Sequence, residues 1–425
     1  MKEALASYLW QNQLFNAPLT SDDGELILVQ DPGMLNRDAG PDYSNAKIKI
    51  GTTTWAGNVE IHVHSSDWFQ HKHEQDPAYD NIILHVVMIN DSDIYRTNGE
   101  KIPTVSLQGK YSKHLEERYQ AFLSSRQWIA CEGQLHTVKP IILHNWLERV
   151  AVERFESRSG RIMGYLKETH YDWEQSFFQL LCRSFGFKTN AEPFEILGKQ
   201  VPLKILQREA QTLLQAEAFL FGQAGFLDNK LHSAYYEKLQ LAFAGVKAKH
   251  QLESLPGHIW KFMRLRPSNF PTIRIAQLAS FIRKSPHLLR PVLEASTVEE
   301  IQKLYNVNAS DFWINHYRFE KPQTTNVGPK KLGETAVHLI LINAVIPFLF
   351  VYGKYHNQSV YQDKALDWLM QIPPEKNHIT KKYIARGFPC KHALHSQALI
   401  QMRENYCQPK QCLQCHIGHH LLSKL

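Results

Sequence analysis

The sequence predicts an α+β (mixed α/β) fold, and three observations carry that expectation. Over roughly the first 110 residues, β-branched and apolar residues alternate with period two between Gly, Asp and Asn breaks, the pattern of half-buried strands. From about 140 to 370 the apolar spacing changes to three and four, the pattern of amphipathic helices. Four of the six cysteines then fall at 390, 407, 412 and 415, in a tail too short to build a core of its own. The expected organisation is a sheet domain over 1–135, a helical domain over 136–374 and a small basic, cysteine-stapled module over 375–425.

The elements follow in order. "MKEALASYLWQNQLF" is an amphipathic helix carrying Glu3 and lacking a small-residue cleavage site, so it does not read as a secretory signal, and a cytoplasmic protein is expected. "ELILVQDPG", "NAKIKIG", "TWAGNVEIHVH" and "NIILHVVMIND" read as strands. "SSDW" starts a short helix, capped by Ser65 or Ser66, with Asp67 in its first turn. Segments such as "HNWLERVAVERFESRSGRIMGYLKE" and "LQREAQTLLQAEAFLFGQ" are helical. "RLRPSNFPTIRIAQLASFI" reads as a connector entering a helix. "VHLILINAVIPFLFVYG" falls short of the roughly 20 apolar residues of a membrane span and contains His338, Asn343 and Pro347, so it reads as a buried helix. No membrane association is expected.

At 425 residues and 43% hydrophobic, the chain can bury a sizeable core. Its net charge of +7 is unevenly spread: residues 375–425 hold eight Lys or Arg against two Glu. Such asymmetry suits a nucleic-acid partner, DNA or RNA, and equally suits a solvated basic surface. Oligomeric state is left open.

The chemistry concentrates in "GNVEIHVHSSDWFQHKH". Alternation puts Trp55, Gly57, Val59, Ile61 and Val63 on one strand face and Asn58, Glu60, His62 and His64 on the other. The preceding strand alternates Ala46, Ile48 and Ile50 against Lys47 and Lys49. A two-residue loop at Thr52 and Thr53 pairs Ile50 with Trp55 and Ala46 with Val59. That register sets Asn45 opposite Glu60 and Tyr43 opposite His62, which brings Asp42 near Glu60. Two carboxylates there can hold Mg²⁺ or Mn²⁺, whose role would be to activate water at a phosphoryl centre. Strict alternation puts Asp42 on the apolar face, so the chain must bend near Pro41.

Pro41-Asp42, a hairpin, and then Glu60-Ile61-His62 resemble the PD-(D/E)xK nuclease superfamily, whose restriction-endonuclease-like core carries an Asp on one strand and an acid-x-Lys on the next. The resemblance implies catalytic roles for Asp42, Glu60 and His62, with His62 in the lysine position. A histidine, with a pKa of about 6.5, is mostly neutral at pH 7. "AGPDYSNAKIKIG", "GNVEIHVHSSDW", "DPAYDNIILHVV", "RLRPSNFPTIRIAQLA" and "NYCQPKQCLQC" together resemble a bacterial family known as domain of unknown function 2851, which implies one unified chain and no particular activity.

Glu60, His62 and His64, at i, i+2 and i+4, also form a first-row transition-metal set that resembles the site of cupin barrels, although this region has too few strands for one. His71, His73 and His85 could complete a ligand set, but His71 and His73 lie in a polar loop or helix and read as surface residues. His85 reads as a hydrogen-bonded core histidine, and Asp76 and Asp80 as turn-shaping residues. The expected metal ligands are therefore Asp42, Glu60 and His64, with a second set at Cys390, Cys407, Cys412 and Cys415. The latter spacing, C-x16-C-x4-C-x2-C, fits Zn²⁺ or a 4Fe-4S cluster, with His416 able to stand in for Cys390. Iron–sulfur staples occur in some nucleases of the superfamily, but those keep one cysteine before the catalytic core. Cys131 and Cys182 read as core thiols. The leading expectation is a metal-dependent nuclease. A non-catalytic nucleic-acid-binding or interaction protein and a small-molecule metalloenzyme using Glu60, His62 and His64 are the alternatives.

Overall fold

In the computed structural model, which describes residues 2–36, 38–325 and 327–423, the four expected strands form and three short ones, at Leu19–Thr20, Met34–Leu35 and Thr104–Ser106, join them. They are β1 (Leu19–Thr20), β2 (Leu26–Asp31), β3 (Met34–Leu35), β4 (Tyr43–Ile50), β5 (Thr53–His64), β6 (Ile82–Ile89) and β7 (Thr104–Ser106). They join in one mixed sheet of order β1-β2-β4-β5-β6-β7, with β3 on the end of β4. β4 and β5 make an antiparallel hairpin, while β5, β6 and β7 run parallel. Helix α1 (Lys2–Gln11) buries Leu5, Leu9 and Trp10, and its Ser7 hydroxyl hydrogen bonds the Tyr43 hydroxyl at 2.8 Å, so it covers the Tyr43 side of the sheet.

The hairpin register differs from the expected one. Ile50 pairs with Thr53, Ile48 with Trp55 and Ala46 with Gly57, because Gly51, at φ +59°, closes the turn one pair earlier. A slip of two residues keeps every side chain on its predicted face. A second irregularity lies between Ala46 and Tyr43, where the pairing resumes as Tyr43 with Val59. Asn45 sits inside it at φ +57°, a left-handed conformation that asparagine tolerates better than most residues. This bulge inverts the phase of the strand: Tyr43 and Ala46, three apart, are both buried on the apolar side, and Asp42 turns to the other face. The expected bend near Pro41 is thus supplied by the bulge at Asn45.

β5 is exposed over its first four residues, Trp55 included, and fully buried from Val59 to His62. The change comes where β6 begins to pair, at Asn58 opposite Ile82, and where the segment 65–80 folds over the polar face. That segment contains α2 (Asp67–Gln70) and two 3-10 turns, His73–Gln75 and Pro77–Tyr79. Trp68 anchors it in a cluster with Ile82, Ile94 and Ile102, and Tyr79 packs on its edge. The expected serine cap of α2 is not formed. Ser65 and Ser66 instead donate their hydroxyls to Asp91 at 3.0 and 2.9 Å, and the Asp67 carboxylate accepts the His64 N–H at 2.9 Å.

The chain divides into two compact units, Met1–Trp146 together with Arg403–Leu425, and Leu147–Met402. This differs from three consecutive domains bounded at 135 and 374: the last stretch of the tail belongs with the sheet, joined to α3 (Lys113–Ser124) and the loop after it. The second unit is helical. Among the described residues one helix, Glu334–Tyr355, is long and apolar enough to cross a membrane by length and composition, and 78% of its apolar window is buried inside the protein. It runs through a π turn at Leu341–Val345, which accommodates the missing N–H of Pro347. In the predicted connector, Arg274 is buried, donating to Gln277 at 2.8 Å and Asn269 at 2.6 Å, so it holds the start of helix Pro271–Lys284 in place.

Candidate metal centre

The bulge at Asn45 and the parallel pairing of β5 with β6 together decide which side chains meet. Asp42 lies opposite Glu60, and the two exchange backbone contacts: the Asp42 N–H donates to Glu60 Oε2 at 3.0 Å and the Ile61 N–H donates to Asp42 Oδ2 at 3.1 Å. Glu60 pairs with His85 across β5 and β6, so that Glu60, His62 and His85 share the face covered by segment 65–80. Lys72, at φ +62°, makes the reversal that returns His71 and His73 to that face.

The result is a cluster of imidazoles around one carboxylate. His73 Nε2 lies 3.3 Å and His62 Nε2 3.7 Å from Glu60 Oε1. His62 Nε2 is 3.0 Å from His71 Nδ1, and the ligand atoms of His62, His71 and His73 all fall within 4.8 Å of one another. Around a tetrahedral ion with bonds of about 2.0–2.1 Å to nitrogen, neighbouring donors sit roughly 3.3 Å apart, close to the 3.0, 3.3 and 3.7 Å separations among His62, His71, His73 and Glu60. The other nitrogen of His62, Nδ1, hydrogen bonds His85 Nε2 at 2.8 Å, the outer-partner arrangement that orients a metal-ligating imidazole. His73 stacks on Tyr79 with ring centroids 3.8 Å apart, yet its Nε2 is buried without a hydrogen-bond partner. Such an orphaned nitrogen, aimed at a carboxylate, fits a cation ligand.

Electrostatics agree with that reading. Burial, reinforced by the charge of Glu60, raises the Asp42 carboxyl from 3.8 to about 7. Burial, with His73 and His71 adding in the same direction, lowers His62 from 6.5 to about 3 and keeps it neutral. His85 is held well below 6.5 by burial and by His62. Two crowded carboxyls beside the neutral imidazole of His62 are what a divalent cation would relieve and bind. His71 is exposed, so the cluster opens to solvent on that side.

His64, expected as a ligand, points away: its side chain is 42% exposed and lies 3.8 Å from Asp67. Of the two histidines expected at the surface, His71 is exposed and His73 is buried, and both set a ring nitrogen beside that of His62. Their signal was the alternate His-Lys-His just before the turn residues Asp76-Pro77. Asp76 indeed shapes the turn, accepting from the Ala78 N–H, and Asp80 accepts from Thr97. Of the expected cysteine set, Cys407, Cys412 and Cys415 lie in the first unit, while Cys390 belongs to the second, with Glu375 as its charged neighbour.

The family model described as "Protein of unknown function (DUF2851)" matches residues 3–378. The chain belongs to the DUF2851 family. No curated protein and no solved structure matches it. The matched residues of this DUF2851 protein include Asp42, Glu60 and all four clustered histidines, together with Cys131, and stop before Cys390.

Proposed function

We propose that this DUF2851 protein is a metal-dependent phosphodiesterase acting on nucleic acid, with its centre on Glu60, His62, His71 and His73. The observation that supports this most is the convergence of Asp42 and Glu60, from adjacent antiparallel strands, with three imidazoles whose ligand atoms lie within 4.8 Å. Two acids on neighbouring strands are the feature shared with the PD-(D/E)xK nucleases, with His62 standing where those carry a lysine. The donors mix oxygen and nitrogen, which suits Mn²⁺ or another first-row ion better than Mg²⁺ with its demand for oxygen. Such an ion, when bound, activates a coordinated water and offsets charge on a phosphoryl group. Glu60 would contribute a carboxylate oxygen, His62 and His73 ring nitrogens from the buried side, and His71 the solvent-facing nitrogen. His85 holds the His62 ring, and Asp42 adds a second carboxylate beside Glu60.

A polyanionic partner is supported by the basic residues of 375–425 and, in the helical unit, by a cavity of about 400 Å³ lined in part by Arg158, Arg161, Arg183 and Lys188. A cytoplasmic location belongs to the same reading, since a cysteine-rich metal site is best kept in a reducing compartment.

Protein loaded with Mn²⁺ or Zn²⁺ is expected to cleave single- or double-stranded DNA or RNA, and Glu60→Ala is expected to lose both cleavage and ion binding. Ion binding with no cleavage of any of these substrates sinks the nucleic-acid reading. It would leave a small-molecule metalloenzyme, which the nitrogen-rich donor set favours. Salt-sensitive nucleic-acid binding that persists in Glu60→Ala, without cleavage, would instead favour a non-catalytic binding protein.

A further inference from the structure

The tail that returns to the sheet unit carries three cysteines, and its docking is built around a loop that carries a fourth. Arg403 Nη1 donates to the Trp128 carbonyl at 2.6 Å, and its guanidinium lies 4.6 Å from the Trp128 ring centre. Lys410 donates its ammonium to the carbonyls of Leu123 and, at 3.0 Å, Ser125. These bonds clamp the segment from Arg403 to Lys410, with Cys407 inside it, against 123–128, three residues before Cys131.

Beyond Lys410 the chain tightens. Cys412–Gln414 is a 3-10 turn, the Cys415 N–H donates to the Cys412 carbonyl at 3.3 Å, and helix His416–Leu422 begins at once. Gly418 of that helix packs its backbone directly on the Cys412 carbonyl, leaving no room for a Cβ. The helix is in turn held on α1, where the Tyr8 hydroxyl hydrogen bonds His419 Nδ1 at 2.9 Å. Both ends of the cysteine loop are therefore fixed on the sheet unit.

The clamp brings the stretch that carries Cys407 onto the loop that leads to Cys131, and the 3-10 turn sets Cys412 and Cys415 one turn apart beside it. Burial raises Cys131 to about 12, with Cys407 and Cys412 pushing the same way, and raises Cys412 to about 11, with Cys407 adding to it. Cys415, fully enclosed, is raised by burial and by both Cys407 and Cys131.

The geometry points to a four-thiolate metal centre formed by Cys131, Cys407, Cys412 and Cys415, which staples the returning tail to the sheet unit and leaves Cys390 outside it. The ligand is Zn²⁺ or an iron–sulfur cluster, both of which take four cysteine thiolates. The site is independent of the histidine cluster and of any activity there.

The full-length chain, purified without oxygen, would be assayed for zinc, iron and acid-labile sulfide. About one Zn²⁺ per chain with no colour marks the first occupant; iron with sulfide and absorption near roughly 400 nm marks the second. In either case Cys131→Ser is expected to weaken retention of the metal against a chelator at least about tenfold, the lower end of what even an outer partner contributes, while Cys390→Ser retains it. Should Cys131→Ser fail to fold, alkylation of the wild-type protein gives a second readout. Cys131, Cys407, Cys412 and Cys415 should be protected together and become reactive together on chelation, with Cys390 reacting independently of the metal. Wild-type protein with neither zinc nor iron–sulfur at these cysteines, or a metal lost in Cys390→Ser and kept in Cys131→Ser, overturns the assignment.

Discussion

His64 and His73 are nine positions apart and have opposite surroundings. His64 ends β5 with its ring 42% exposed beside Asp67. His73 is buried, stacks on Tyr79 and sets a nitrogen that makes no hydrogen bond 3.3 Å from Glu60. On the proposed ligand set, removal of His73 deletes a ligand, and removal of His64 trims a surface side chain. Titration calorimetry with Mn²⁺ or Zn²⁺ should show His73→Ala weakening binding by at least about tenfold, with His64→Ala within twofold of wild type. Equal losses in the two variants would refute the ligand set. At this scale the sequence was readable where a side chain's face follows from strand period, as for Glu60, His62 and His85. His71 and His73 were unreadable because their direction depends on the left-handed Lys72, which local spacing does not announce.

At the scale of the element, the hairpin works through two backbone positions. Asn45 holds the bulge that turns Asp42 toward Glu60, and its φ of +57° costs a β-branched residue about 1–2 kcal/mol. Asn45→Val should lower the denaturation midpoint of the sheet unit accordingly, while Asn45→Gly, which adopts that φ freely, should be close to neutral. Gly57 marks the start of the β5–β6 contact. A Cβ there would collide with the Ile83 side chain and sit 2.8 Å from the Asn81 carbonyl oxygen, so Gly57→Ala should cost about 1–3 kcal/mol by overpacking. Urea unfolding followed by near-ultraviolet circular dichroism tests both; wild-type midpoints in Asn45→Val and Gly57→Ala would contradict the geometry. The strands themselves and their apolar faces were legible from alternation. The register was not, since a two-residue slip preserves the faces, and neither was the bulge, which alternation read as a bend near Pro41.

At the scale of the whole molecule, the return of the tail to the first unit was invisible to the sequence for a physical reason: a cysteine cluster announces a staple but not its far end. Cys390 was expected as the fourth ligand by proximity along the chain; in the fold it belongs to the helical unit, and the proposed site takes Cys131 in its stead. The helical unit has its own internal polar group, Glu217, which is 1% exposed within the core. Its carboxylate accepts from the Tyr235 hydroxyl and, at 3.2 Å, from Trp313 Nε1, bonds that favour ionisation. Burial outweighs them and raises the group from 4.5 to about 7. The folded state thus holds a proton that the unfolded chain releases near pH 4.5. Between about pH 4.5 and 7 the native state binds more protons than the unfolded one, so stability is greatest at the acid end of that window and falls as pH rises through it, by on the order of 3 kcal/mol from this group. Glu217→Gln carries no ionisable group and should flatten this part of the profile, leaving the variant more stable than wild type at pH 8 and similar to it at pH 5. Thermal melts of both proteins at the two pH values decide the matter: a wild-type profile that rises between pH 5 and 8, with no difference in slope from Glu217→Gln, would show that the hydrogen bonds from Tyr235 and Trp313 prevail over burial.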